Sequence, residues 1–154
     1  MQMPEPDAAV IAARGQLIAR LREFLPDAAV VVGEDDLRAF ETDGLTAYKA
    51  LPLVAVLPES TAQISEVMAL CAEMGVKVVP RGAGTGLSGG ALPLADGVTL
   101  VLTKLNKVLE VDYANRCAVV QPGVTNLAIS QAVDADGFYY APDPSSQIAC
   151  SIGG

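Results

Sequence analysis

The feature that most narrows the fold is a strand–helix–strand pattern that runs directly into a glycine-rich loop. Leu53 to Leu57 is a short apolar run bounded by Pro52 and Pro58, the signature of a strand. Ser60 stands three residues before Gln63, a capping-box pair. Ile64, Val67, Met68, Cys71 and Met74 then recur at helical spacing, and Gly75 supplies the C-terminal stop. Val76 to Val79 reads as a second strand. A helix of this length can carry a crossover between parallel strands.

Composition decides what such a pattern can belong to. At 154 residues, the length suggests one domain with a real core. With 51% hydrophobic and 18% charged residues, the chain is not disordered. Lys and Arg number 10 against 18 Asp and Glu, a formal charge of −8. That balance disfavours nucleic acid, which needs clustered cations. No uncharged apolar run approaches the roughly 18 residues of a membrane span. Met1 to Asp7 carries Glu5 and Asp7 and no basic segment, so no signal peptide is visible. The chain has no histidine, which removes Ser-His-Asp and Cys-His catalysis and His-ligated metal from this stretch. Cys71, Cys117 and Cys150 form no C-x-x-C pair; so sparse and odd a set suits a reducing compartment and predicts no metal site.

The rest of the chain reads more weakly. Residues 8–25 fit one amphipathic helix stopped at Pro26. Ala28 to Val32 fits a short strand, and Glu34 to Lys49 a polar surface excursion with at most a short helix. Beyond the glycine loop, Val98–Leu102, Val108–Tyr113 and Cys117–Gln121 read as strands, the last two joined by Ala114 to Arg116 as a hairpin. Thr125 can cap a helix over 126–136, stopped by Gly137. Cys71 and Cys117 are expected as packing residues, Tyr139 and Tyr140 as core. Asp134, Asp136, Lys104 and Lys107 are expected as solvated, and Cys150 has no basic neighbour to activate it.

Pro80 to Ala91 holds Gly82, Gly84, Gly86, Gly89 and Gly90, interleaved with Thr85 and Ser88. Arg81 is the only charge from Val78 to Ala95. Glycines permit positive φ and close backbone approach, so successive N–H groups can converge on an anion. The hydroxyls of Thr85 and Ser88 add donors, and Arg81 adds a charge suited to phosphate. The plain alternative is a flexible spacer, but a spacer need not follow a buried strand or pair glycines with hydroxyls. A Walker A motif fails because Gly90 and Ala91 follow Gly89 where Lys-Ser/Thr is required. A G-x-G-x-x-G fingerprint does match at Gly84, Gly86 and Gly89, with Glu110 about 20 residues on. That fingerprint must open a helix, and Pro93 and Asp96-Gly97 leave no room for one, so the nicotinamide reading fails on context.

Pro80 to Ala91, taken with Pro122 to Thr125 and Cys150 to Gly154, resembles the FAD-binding domain of the vanillyl-alcohol oxidase type of flavoprotein. Within that superfamily it is similar to the catalytic subunits of glycolate oxidases and the D-lactate dehydrogenases. The resemblance covers residues 50–154 firmly and the N-terminal arm loosely. It implies an α+β (α/β) architecture, the PCMH-type FAD-binding fold, in which a βαβ unit is followed by a mixed sheet with flanking helices. Residues 1–50 would form a helical arm, and 51–154 the N-terminal part of the FAD-binding domain, incomplete at its C-terminal end.

The resemblance also implies the site. Arg81, Gly82, Ala83, Gly84, Thr85, Gly86, Ser88, Gly89 and Gly90 would hold the FAD pyrophosphate. Pro142, Ser146, Ser151 and Gly153 would lie along the flavin. Some relatives attach flavin through His or Cys; with no His and no cysteine nominated by a motif, non-covalent FAD is expected. The activity implied is oxidation of a 2-hydroxy acid, glycolate or D-lactate, with electrons passed to a non-nicotinamide acceptor, often an iron–sulfur partner subunit. A cytoplasmic protein is implied, peripheral at most to the inner face of the membrane. Catalytic residues cannot be named, because the family's substrate-binding segments would follow Gly154. On this reading the chain is a fragment, poor at retaining FAD, inactive alone and prone to self-association through open strand edges. Two other readings stay open: a sugar, aromatic alcohol or nucleotide-sugar oxidoreductase, and a non-enzymatic phosphate- or nucleotide-binding module.

Overall fold

The computed structural model describes residues 3–153; Gly154, the second glycine of the closing pair, lies outside them. The first helix is interrupted. Asp7 caps α1 (Ala8–Ala12) by accepting from Ala9 N at 2.8 Å, and α2 (Arg14–Leu21) follows. The expected single helix breaks at Ala13 (φ −82°, ψ 2°), just before Gly15, a poor helix former. Leu17 and Leu21 of α2 are fully buried. Arg14 ties this helix to the sheet, donating from Nε to Leu53 O at 2.9 Å and from Nη2 to Val32 O at 2.5 Å.

The main sheet runs in the order β1 (Val30–Val31), β2 (Val54–Val56), β4 (Gly97–Val101), β3 (Lys77–Arg81). β1 is antiparallel to β2, whereas β2 and β3 both lie parallel to β4. The expected strand–helix–strand unit is therefore present, but its two strands do not touch, because β4 lies between them. α4 (Thr61–Met74) makes the crossover. Ser60 Oγ accepts from Gln63 N at 3.2 Å, and Gln63 Oε1 accepts from Glu59 N at 2.7 Å, one residue short of the usual reciprocal bond. Gly75 ends the helix at φ +66°.

Strand alternation divides the core. Val54, Val56, Val98 and Leu100 face α2 and α4, where they pack with Leu17, Leu21, Val67 and Cys71. Ala55 and Val101 face the other way, against Leu37 and Phe40. That second face is covered by α3 (Glu34–Leu37) and a 3₁₀ turn at Arg38–Phe40. Residues 34–49 are thus more than a surface excursion: Leu37 and Asp43 are both only 4% exposed. The doubly buried β4 needs a lid on both faces, and the arm supplies the second one.

After the sheet, β5 (Val108–Asp112) and β6 (Cys117–Val120) form a separate antiparallel ribbon, with a register shift between Val108 and Glu110 and Arg116 at φ +56° in the turn. α5 (Asn126–Val133), capped by Thr125 Oγ1 on Ala128 N, packs on β5. Its expected last turn is a 3₁₀ segment, Asp134–Asp136, closed by Gly137 at φ +76°. Two packing expectations fail here. Tyr139 is 77% exposed and Tyr140 36%. Cys117 is also exposed, since it opens an edge strand of a ribbon covered only in part. Cys71 is in the core as expected, where burial pushes its thiol up to about 11. Among the described residues, no helix is long and apolar enough to cross a membrane, and no group of His, Cys, Asp or Glu could hold a metal ion.

Asp96, 2% exposed, joins the chain's start to the sheet. Its Oδ2 accepts from Lys77 Nζ at 2.6 Å and from Asp7 N at 2.9 Å. The Lys77 hydrogen bond, outweighing burial, holds this carboxyl below its ordinary range. A depressed folded-state value means the contribution is present above the unfolded pKa, about 3.9, and is lost as pH falls below it. Asp96→Asn is expected to cost about 1.5–3 kcal/mol at neutral pH, as for a hydrogen bond to a charged group. It should also flatten the fall in stability below about pH 4. Urea unfolding of parent and variant across a pH series measures both; coincident curves would assign Asp96 no role.

Candidate functional site

The glycine loop begins where β3 ends. Its path is dictated by topology: the chain leaves β3 at Arg81, paired with Val101, and must return to enter β4 at Gly97, paired with Lys77. The loop therefore stands outside the carboxyl ends of parallel strands, the usual ligand position in such sheets. Gly84 (φ +72°) and Gly89 (φ +79°) need the left-handed region.

Two small cavities meet at this loop. The first, about 220 Å³, is lined by Gly82, Ala83, Gly84, Thr85, Gly86, Leu87, Ser88, Gly90, Ala91, Ser151 and Gly153. The second, about 320 Å³, is lined by Ala83, Thr103, Asn106, Gly123, Val124, Thr125, Ala128, Ala149 and Ser151. They share Ala83 and Ser151, so together they make one groove. Among the described residues, no charged side chain lines either part.

The far wall is built from the tail. Thr125 and Ser151 form an antiparallel bridge, flanked by Asn126 N donating to Cys150 O at 3.0 Å and Ile152 N to Val124 O at 2.9 Å. Gly153 N donates to Pro122 O at 2.8 Å. This pairing presses Ser151 against the loop, where its Oγ accepts from Ala83 N at 3.3 Å and donates to Gly153 O at 2.9 Å. A Cβ on Gly82 would run into Ser151 Oγ, and one on Gly153 would sit 2.7 Å from Pro122 Cβ. Glycine at both positions is what lets the two segments touch.

The groove fits a pyrophosphate. None of the hydrogen bonds described within the protein uses the N–H groups of Gly84 to Ser88, which leaves them for an outside acceptor. The hydroxyls of Thr85 and Ser88 stand among them, and among the described residues no carboxylate lines the walls. An anion in the groove would meet a row of donors without like-charge repulsion.

Not every expected residue lies on the groove. Gly82 to Gly86, Ser88, Gly90, Ser151 and Gly153 do. Arg81 does not: it is 8% exposed, and its Nη1 donates to Thr42 O at 2.8 Å and Ala91 O at 3.2 Å. Its guanidinium lies 5.9 Å from the centre of the Phe40 ring. Register explains this, because Arg81 pairs with Val101, whose side chain faces the arm rather than the loop's mouth. Gly89 is also withdrawn, since its N–H donates to Asp43 Oδ2 at 2.9 Å. Pro142 and Ser146 line neither cavity; they shape the tail. Pro142 O accepts from Asn126 Nδ2 at 3.1 Å, and Ser146 O accepts from Cys150 N at 2.8 Å. Residues that sequence reasoning left out include Leu87, 69% exposed at the rim, and Thr103, Asn106 and Gly123 in the second cavity. Pro122 to Thr125 was the available signal for that cavity.

The glycines differ in what they require. A Cβ on Gly84 would strike the Arg81 guanidinium in addition to the positive φ, whereas a Cβ on Gly86 meets nothing within 4 Å and Gly86 has no positive φ. Gly84→Ala is therefore expected to destabilise the fold by about 1–3 kcal/mol. Gly86→Ala should stay within about 0.5 kcal/mol. Thermal unfolding of the two variants tests this; equal losses would mean that the loop relaxes freely.

Comparison with known proteins adds to this geometry. Residues 52–154 match the family model described as an FAD binding domain. The glycolate oxidase subunit GlcD of Escherichia coli K12 is 51% identical over 141 residues, 92% of this chain and 28% of that protein. A D-lactate dehydrogenase of Anaerostipes hadrus is 37% identical over 140 residues, 90% of this chain and 29% of that protein. The solved structure of an alkyldihydroxyacetonephosphate synthase superposes with a TM-score of 0.79 at 22% identity, over 100% of this chain and 29% of the other. The chain thus spans less than a third of the length of these relatives.

Proposed function

Because the chain belongs to the FAD-binding domain family, we propose that it is the cofactor-binding part of a flavin-dependent 2-hydroxy-acid dehydrogenase. The observation that carries this is the row of uncommitted N–H groups from Gly84 to Ser88, in a groove with no charged lining. These groups, with the Thr85 and Ser88 hydroxyls, hold the FAD pyrophosphate. Ser151 and Gly153 close the opposite wall. Thr103, Asn106 and Thr125 offer polar contacts along the second cavity. When bound, FAD supplies the two-electron acceptor for oxidation of the hydroxy acid to the 2-oxo acid; the protein's part is placement and electrostatics.

The substrate class follows the relatives named glycolate oxidase subunit and D-lactate dehydrogenase. On this reading residues 1–50 are an arm, and 51–154 begin the FAD-binding domain. The groups that hold the hydroxy acid and take its proton belong to chain beyond this stretch, as does the site for an electron-accepting partner, an iron–sulfur protein by analogy. Non-covalent attachment is supported by the absence of histidine and by the position of the cysteines. Cys71 is buried in the core, Cys117 stands on the ribbon, and Cys150, half-buried next to Ser151, lines neither cavity.

A groove walled by one chain segment on each side leaves a flavin open to water, whereas ligand sites normally bury about 70–90% of a ligand. The isolated chain is therefore expected to bind FAD weakly and to turn over no hydroxy acid. The complete enzyme should retain FAD that is released on acid precipitation, and should oxidise glycolate or D-lactate with a dye acceptor but not with NAD. Flavin content of the precipitated supernatant and dye-coupled rates over a panel of 2-hydroxy acids test this. Absence of flavin, or turnover confined to sugars or aromatic alcohols, would overturn it.

A further inference from the structure

The glycine loop is held from beneath by a part of the chain that lies outside the matched domain. Asp43, on the arm, is 4% exposed. Its Oδ1 accepts from Leu45 N at 2.9 Å, fixing its own turn, and its Oδ2 accepts from Gly89 N at 2.9 Å, reaching across to the loop. The neighbouring Thr42 O receives Arg81 Nη1, which also donates to Ala91 O. Gly44 lies so close that a Cβ there would stand 2.7 Å from Thr85 O and 2.9 Å from Gly86 O. Arm residues 42–44 thus touch the loop at its start, its middle and its end.

From this we propose that Asp43 is a positioning residue for the anion-binding loop: together with Arg81 it clasps the loop so that the Gly84–Ser88 N–H groups face outward. The inference rests on the proposed FAD site. Thr85 O and Gly86 O are the loop atoms nearest Gly44, and in a trans peptide the following N–H points opposite to the carbonyl, so the N–H groups of Gly86 and Leu87 are turned away from the arm. Asp43 does not itself line the groove, so its effect on a ligand passes through the loop.

Charge and position predict opposite signs for one substitution. A buried carboxylate near an anion site repels the anion, and Asp43 also offsets the buried Arg81 charge, favouring its protonated form against burial. If Asp43 acted only through charge, Asp43→Asn would leave Arg81 uncompensated and bind a pyrophosphate more tightly. If it positions the loop, Asp43→Asn must weaken binding, because Leu45 N and Gly89 N donate to different oxygens and the amide puts an NH2 donor in place of one of them.

The test uses FAD titration of the complete apo-enzyme, with Asp43→Asn and Asp43→Ala variants. It is paired with amide hydrogen exchange on the ligand-free protein. We expect FAD affinity to fall about tenfold or more in Asp43→Ala, with Asp43→Asn between it and the parent. We also expect exchange at the hydrogen-bonded loop amides, Ala83, Gly89 and Leu92, to quicken at least about tenfold while strands β2 and β4 keep their protection. Unchanged or tighter FAD binding in Asp43→Asn would overturn the proposal. So would exchange that rises equally in β2 and β4, the mark of a merely structural residue. A parent that takes up no FAD would remove the proposed function instead, and the ligand-free exchange would still decide whether Asp43 holds the loop.

Discussion

The arrangement depends on β4 being threaded between two strands that precede it in the chain. Gly97 to Val101 are all buried, with parallel neighbours on both sides. Parallel pairing to β3 obliges the chain to leave at one end of the strand and return to the other. In most parallel sheets a helix makes that return; here residues 82–96 make it without one. The glycine loop is the turning point of this return, so the candidate site is a consequence of strand order. The same burial demands cover on both faces of the sheet. α2 and α4 provide one lid, and the Glu34–Phe40 segment provides the other, which brings Asp43 and Gly44 beneath the loop.

Local signals were legible where the physics is local. Ser60 with Gln63, Gly75, Thr125 and Gly137 mark element ends through caps and left-handed glycines, and each does so in the structure. The strands fall within a residue or two of expectation because short apolar runs between Pro and Gly have few alternatives. What was not legible depends on partners distant in sequence. Nothing between Leu53 and Val79 reveals that a third strand will enter between the two. The arm looked peripheral because Asp43 and Glu41 are polar. Its burial follows from which face of β4 needs covering, and that is set by residues more than fifty positions later.

The loop was legible in the sequence, whereas the direction in which its one charged side chain points was not. Gly82 to Gly86, Ser88, Gly90, Ser151 and Gly153 line one cavity. Arg81 and Gly89 do not, for one shared reason: both hold the arm. A lone cation in an uncharged window invites assignment to the ligand, but the strand alternation that puts Val101 on the arm side puts Arg81 there too. Counting alternation from Val98, known to face the helices, would have placed Arg81 on the opposite face.

The missing helix also explains why the arm matters. In the dinucleotide fold that the Gly84, Gly86, Gly89 spacing imitates, a helix N-terminus supplies both N–H groups and a dipole to the phosphates. Pro93 and the return to β4 exclude that helix here, so the dipole is unavailable. On the proposed reading an anion is then held by the loop's N–H groups and the Thr85 and Ser88 hydroxyls, and their strength depends on converging before the ligand arrives, because ordering a flexible loop on binding consumes affinity. Gly84 and Gly89, both at positive φ, give the loop its shape but also its freedom. Contacts outside the loop must remove that freedom. Arg81 at the start, Gly89 and Ala91 at the end, and Gly44 against the middle are where the structure does so.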